Sequence, residues 1–201
     1  MTGIADPERM TTLLGALEEY RTARSTLLES LGLPQSNRDP LAGFSEALVQ
    51  TLLGGTLAAN PVQADYDLIL PDGAKVQVRY LANGAGPWVN EHRVYVIDDV
   101  PYYALVIFEA FRVAGVLVFP TARLAVIGAA LGKKHPRTDE QLQLTRRTWQ
   151  TIRDDTAQFH GLGMRIWLRD PSQRLLVGTG NPASTPAATD ADRDPTAPSG
   201  I

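Results

Sequence analysis

Asp67 lies between Tyr66 and Leu68 in a short apolar stretch, and Gln77 and Arg79 follow on a segment that alternates apolar and polar residues. A carboxylate in an apolar strand must find partners that offset its burial. Gln77 and Arg79 stand two residues apart, so on a strand both project to one side, while Val76 and Val78 project to the other. A guanidinium stays protonated and cannot act as a base, but it can bind a phosphate or stabilise developing negative charge. Glu46, upstream beside Phe44 and Ala47, adds a second carboxylate. Each residue also has an ordinary explanation. Asp67 would be a strand-edge acid bonded to its turn, Gln77 and Arg79 a solvated strand face, and Glu46 a surface acid on its helix.

The elements that must position these residues can be read from periodicity. Asp6-Pro7 has the form of an N-cap and first helical position, and Met10, Leu13, Leu14, Leu17 and Tyr20 recur at helical spacing, continued by Leu27, Leu28 and Leu31 to a stop at Gly32. This helix is expected to pack on the domain, with a dimerisation helix as the alternative. Asp39-Pro40 repeats the signal and opens a second helix to about Leu53, ended by Gly54-Gly55. Tyr66–Leu70, a turn at Pro71–Ala74 and Lys75–Tyr80 together predict a hairpin. Tyr102–Phe108 is a continuous apolar run, as expected for a strand covered on both faces, with Val116–Phe119 as its neighbour. Thr121 is expected to cap a helix through Leu131, Gln141–Thr145 to form a last short strand and Arg146–Asp155 a helix. Beyond Arg169 the chain is rich in Pro, Thr, Ala, Ser and Asp without periodic apolar residues, which predicts a disordered tail.

The order of motifs carries a resemblance. Pro40-Leu41-Ala42-Gly43-Phe44-Ser45-Glu46-Ala47-Leu48-Val49, then Ala64-Asp65-Tyr66-Asp67-Leu68-Ile69-Leu70-Pro71-Asp72-Gly73, then Val76-Gln77-Val78-Arg79 resembles an uncharacterised bacterial family of restriction-endonuclease-like (PD-(D/E)xK) proteins, over about residues 10 to 155. The resemblance implies a phosphodiester-hydrolysing site in which a divalent ion polarises the phosphate and lowers the pKa of the attacking water. By motif, Asp67 is the principal Mg²⁺ ligand, Gln77 takes the acid position, the Val78 carbonyl is a backbone ligand, Arg79 takes the place of the usual Lys and Glu46 is the helix acid. Gln77 removes one anionic ligand, and Arg79 removes the residue that would orient or help deprotonate water. Glu46, Asp67, Gln77 and Arg79 are therefore expected to converge on one cleft, in a site weakened for catalysis.

Composition narrows the remaining classes. Hydrophobic residues make up 44% of the 201-residue chain, enough for a real core, and the formal net charge of -3 argues against coating nucleic acid by bulk charge. A local basic segment remains: Lys133, Lys134 and Arg137 around His135, followed by Arg146, Arg147 and Arg153. It reads as a surface for DNA phosphates or as a solvated charged face. Trp88, in a loop, is expected to pack over the core rather than stack on a base. His92 and His160 have no partner pattern and read as structural or surface residues. The absence of cysteine excludes disulfide scaffolds, thiolate metal sites and a Cys nucleophile. No nucleophile elbow, Walker motif or dinucleotide fingerprint is present. The N-terminus has no signal-peptide pattern, and no apolar run approaches the roughly 20 residues of a membrane span. A soluble cytoplasmic protein is the default expectation.

The expected architecture is an N-terminal helix (1–33), an α/β restriction-endonuclease-like domain (34–168) with a central mixed sheet of four or five strands flanked by helices, and a disordered tail (169–201). The expected function is that of a DNA-acting protein, either a weak Mg²⁺-dependent phosphodiesterase or a degenerate nuclease fold serving nucleic-acid binding or regulation. A protein-interaction module, homodimeric through the N-terminal helix, is the third reading.

Overall fold

The computed structural model describes residues 7–33, 40–59, 65–83, 91–132, 140–170 and 176–178. Helix α1 runs Pro7–Ser30 and α2 runs Pro40–Leu53. Gly32, at φ 64°, ends α1 as expected: its N–H donates to the Glu29 carbonyl and the Leu33 N–H to the Leu28 carbonyl. Asp6 and Asp39, the two expected caps, lie outside the described residues.

Strands β1 (Thr56–Leu57), β2 (Leu68–Ile69), β3 (Lys75–Asn83), β5 (Tyr102–Glu109), β6 (Arg112–Pro120), β8 (Arg165–Arg169) and β9 (Leu176–Gly178) form one mixed sheet in the order β1-β2-β3-β5-β6-β8-β9. Only β3 and β5 pair in parallel; the other neighbours are antiparallel. Strands β4 (His92–Tyr95) and β7 (Gln141–Leu144) form a separate two-stranded antiparallel sheet. Helices α3 (Leu124–Ala130), α4 (Arg146–Asp154) and α5 (Thr156–Gly161) complete the domain.

The period of two on the central strands divides the core. Val76, Val78, Ala104, Val106, Phe108, Val116 and Val118 face α2, whose Val49 is fully buried among them. Leu81, Tyr103, Leu105, Ile107, Leu117 and Phe119 face the opposite layer of α3, α4, α5 and the small sheet, including Ile127, Trp149, Phe159 and Leu142. The apolar run of β5 is thus covered on both faces, and each large side chain so buried stabilises the fold by roughly 1.5–3 kcal/mol.

Several expectations need correction. The main sheet has seven strands rather than four or five, because β1 and β9 add short edges and β8 lies in a stretch with weak alternation. Leu176–Gly178 pairs with β8, so the segment beyond Arg169 is not wholly unstructured. Strand β7 belongs to the small sheet and is not the last strand. Thr121 does not cap a helix by its side chain; its hydroxyl donates to the Val100 carbonyl, and a 3-10 turn at Thr121–Arg123 precedes α3. Among the described side chains of α1, Leu28 near its C-terminal end is buried, but Leu13, Leu14, Leu17 and Tyr20 are each 61% exposed.

The approach to Asp67 depends on Gly55. At φ 96° it adopts a backbone that side chains rarely allow, and a Cβ there would stand 2.1 Å from the Ile69 carbonyl oxygen. This close passage lets the chain leave α2 and lie against β2, where the Ala58 N–H donates to the Asp67 carbonyl.

Candidate functional site

The β2–β3 hairpin register pairs Leu68 with Val76, which brings Asp67 across from Gln77 on the neighbouring strand. Asp67 is 6% exposed and Gln77 2%. One carboxylate oxygen, Oδ2 of Asp67, gathers three donors: Gln77 Nε2 at 2.6 Å, the Val78 N–H at 2.7 Å and Arg79 Nη1 at 3.2 Å. Arg79 Nη1 also donates to the Val78 carbonyl at 2.8 Å. The Arg79 side chain keeps 46% of its surface exposed.

The parallel pairing of β3 and β5 places Tyr103 beside Gln77. The Tyr103 hydroxyl lies 2.7 Å from His92 Nε2, and the Tyr95 ring meets the Tyr103 ring edge-on at 5.5 Å between centroids. Strand β4 is thereby laid across the start of β5. Sequence reasoning missed His92 and Tyr103 as neighbours of the site, because the signal is a strand register between distant segments.

Burial pushes the Asp67 carboxyl above its ordinary value, against the opposing pull of the Val78 N–H, Arg79 and Gln77. Burial also raises Glu46, helped by the negative charge of Asp67 and opposed by Arg79. His92 is lowered, first by burial and then by the Arg79 cation. Burial holds the Tyr103 phenol above its usual range, so it stays protonated at neutral pH. The Arg79 charge therefore acts on all four titratable groups, and it does so permanently.

Of the four residues expected to converge, Asp67, Gln77 and Arg79 are brought together by direct contact. Asp67, Gln77 and Arg79 share direct hydrogen bonds, whereas Glu46 feels Asp67 and Arg79 through their charges. The donor set in this arrangement does not fit Mg²⁺. Oδ2 of Asp67 already accepts three hydrogen bonds, the Val78 carbonyl is bonded to Arg79, and a cation stands beside both oxygens. Gln77 turns its NH₂ group, not its oxygen, toward Asp67. Among the described residues no group of three or more His, Cys, Asp or Glu side chains is placed to hold a metal ion.

What the arrangement offers chemically is a half-exposed guanidinium fixed by a buried carboxylate, a planar donor suited to a phosphate or carboxylate oxygen. Arg146 and Arg147 are exposed at the start of α4, shortly after Leu144, the register partner of His92. Lys133, Lys134, Arg137, His135 and Trp88 lie outside the described residues. Among the described residues no helix is long and apolar enough to cross a membrane. Comparison with protein-family models and with curated proteins gives no match.

Proposed function

We propose that this chain binds the phosphodiester backbone of nucleic acid without cleaving it, on a nuclease-like core in which Arg79 stands in for the catalytic metal ion. The observation that carries this reading is the position of Arg79 Nη1, in hydrogen-bond contact with both Asp67 Oδ2 and the Val78 carbonyl. Those are two of the oxygens expected to ligate Mg²⁺. A guanidinium there neutralises Asp67, needs no ion and keeps donors directed outward for a phosphate. It cannot take a proton from water, so the usual hydrolytic step has no base at this position. The exposed Arg146 and Arg147 support the same reading as backbone contacts that carry no sequence information.

The test is fluorescence anisotropy of a labelled DNA fragment with the full chain and with Arg79→Gln, alongside a cleavage assay in Mg²⁺ and Mn²⁺. Salt-sensitive binding that Arg79→Gln weakens, without cleavage, is the expected result. Cleavage that Asp67→Ala abolishes would replace this reading with that of a weak metal-dependent phosphodiesterase.

A homodimer through α1 accompanies this proposal, on a separate observation. Residues 11–23 of α1 are exposed throughout, and Leu13, Leu14, Leu17 and Tyr20 form an unpartnered apolar stripe. Most helical stability in proteins comes from packing an apolar face, and the same stripe on a second copy would supply that packing.

A further inference from the structure

The far end of the β5–β6 hairpin carries a second group of residues that the Asp67 site does not use. Its two-residue turn, Ala110-Phe111, has φ 49° and 57°, so both residues take the left-handed backbone of a turn that favours Asn and Gly. Backbone strain of this kind concentrates at functional sites. The turn displays Phe111, which at 79% is the most exposed large hydrophobic side chain among the described residues.

Beside the turn lies an open groove of about 350 Å³ lined by Arg112, Arg153 and Arg169, with Val113 and Leu168 as apolar floor. The groove has one carboxylate, Glu109, and that accepts a hydrogen bond from Trp149 Nε1 at 3.0 Å. Among the described residues none of the three arginines has an ion-pair partner. Arg153 instead rests over the Trp149 ring, 5.9 Å from its centroid. In a chain of net charge -3, three guanidinium groups around one occupied carboxylate make a local anion receptor. Glu109 lies six positions beyond Tyr103 on β5, about 20 Å along the strand, so this group is distinct from the Arg79 site.

We propose that the hairpin tip and its groove bind single-stranded nucleic acid, with Phe111 stacking on an unpaired base and Arg112, Arg153 and Arg169 holding the adjoining phosphates. Phosphate alone would account for the arginines but not for an exposed aromatic ring presented on a strained turn. Base stacking uses that ring and requires bases free of a duplex. The inference deepens the nucleic-acid reading of the chain and rests on it.

The experiment compares anisotropy of a labelled single-stranded oligonucleotide and of a duplex of equal length, using the full chain, Phe111→Ala, Arg112→Gln/Arg153→Gln and Arg79→Gln. Phe111 and Arg112 of the hairpin and Arg153 of α4 are exposed, and an unchanged melting temperature checks that each variant folds. The single strand should bind more tightly than the duplex, and Phe111→Ala should weaken it roughly tenfold. The double arginine variant should flatten the dependence of log affinity on log salt by about 1.4, from two lost phosphate contacts. Undiminished single-strand binding by both Phe111→Ala and the double arginine variant, with loss in Arg79→Gln, overturns this inference and leaves the Arg79 reading standing. No binding of either oligonucleotide by the unaltered chain overturns both.

Discussion

Arg79 holds Asp67 by one nitrogen, Nη1 to Oδ2 at 3.2 Å, and the same nitrogen also donates to the carbonyl of Val78. That shared contact opposes a divalent cation at the same oxygens, since two unit like charges about 4 Å apart repel by about 4 kcal/mol at an effective dielectric of 20, and a doubly charged ion doubles the repulsion. Arg79→Ala should therefore raise Mn²⁺ affinity by at least about tenfold, measured by isothermal titration. Equal titration curves for the two proteins would show that Arg79 is not what opposes the ion.

Asp67→Ala removes the acceptor shared by Gln77, the Val78 N–H and Arg79. Leaving buried donors without a partner should lower unfolding free energy by about 1–3 kcal/mol. The denaturation midpoint reads this directly, and Asp67→Asn, which keeps one acceptor oxygen, should lose less.

The two halves of the site should respond oppositely to pH. Glu46 is raised in the folded protein, so its contribution is present below its ordinary value of 4.5 and is lost as pH rises through the raised value. His92 is lowered, so its contribution is present above 6.5 and is lost as pH falls through the lowered value. Glu46→Gln should gain on the unaltered protein as pH rises from 4.5, and His92→Gln should lose less melting temperature on acidification below 6.5. Parallel melting curves across this range would sink both assignments.

How far the sequence reveals this site depends on the distance over which each cue acts. The hairpin that opposes Asp67 to Gln77 was legible because its turn and its alternation are local. Glu46 was expected there from motif order, and its link to Asp67 and Arg79 is through charge alone. His92 and Tyr103 were not legible, since their contact rests on the parallel β3–β5 register and on the small sheet, both set by packing between distant segments. Arg79 was expected at the site, but its bond to the Val78 carbonyl depends on a side-chain rotamer that no pattern specifies.

For α1, deletion of residues 1–32 should turn a dimer into a monomer by light scattering, and Leu17→Glu should do the same while keeping the domain folded. Leu17 is 61% exposed, so the substitution disturbs no core. An unchanged number of chains per particle in both would remove the helix from any dimer.

Gly55→Ala places a methyl group against the Ile69 carbonyl at a positive φ. The expected loss is about 1–3 kcal/mol, with weaker nucleic-acid binding because β1 and β2 position Asp67. Unaltered thermal stability would show that the chain passes β2 with room to spare.

The doubly covered β5 has a consequence for how the protein is made. Its run from Tyr102 to Phe108 carries no charge, and such a segment is an aggregation hazard whenever it is left uncovered. Strand β3 precedes it in the chain and can guard one edge of the hairpin as soon as it emerges from the ribosome. The other edge, on β6, stays open until Arg165–Arg169 has been synthesised, and the covering helices α3–α5 also arrive after the hairpin. Truncations that end between β6 and β8 should therefore accumulate as insoluble chains, and the interval between synthesis of β6 and of β8 becomes the one in which the growing chain most needs protection.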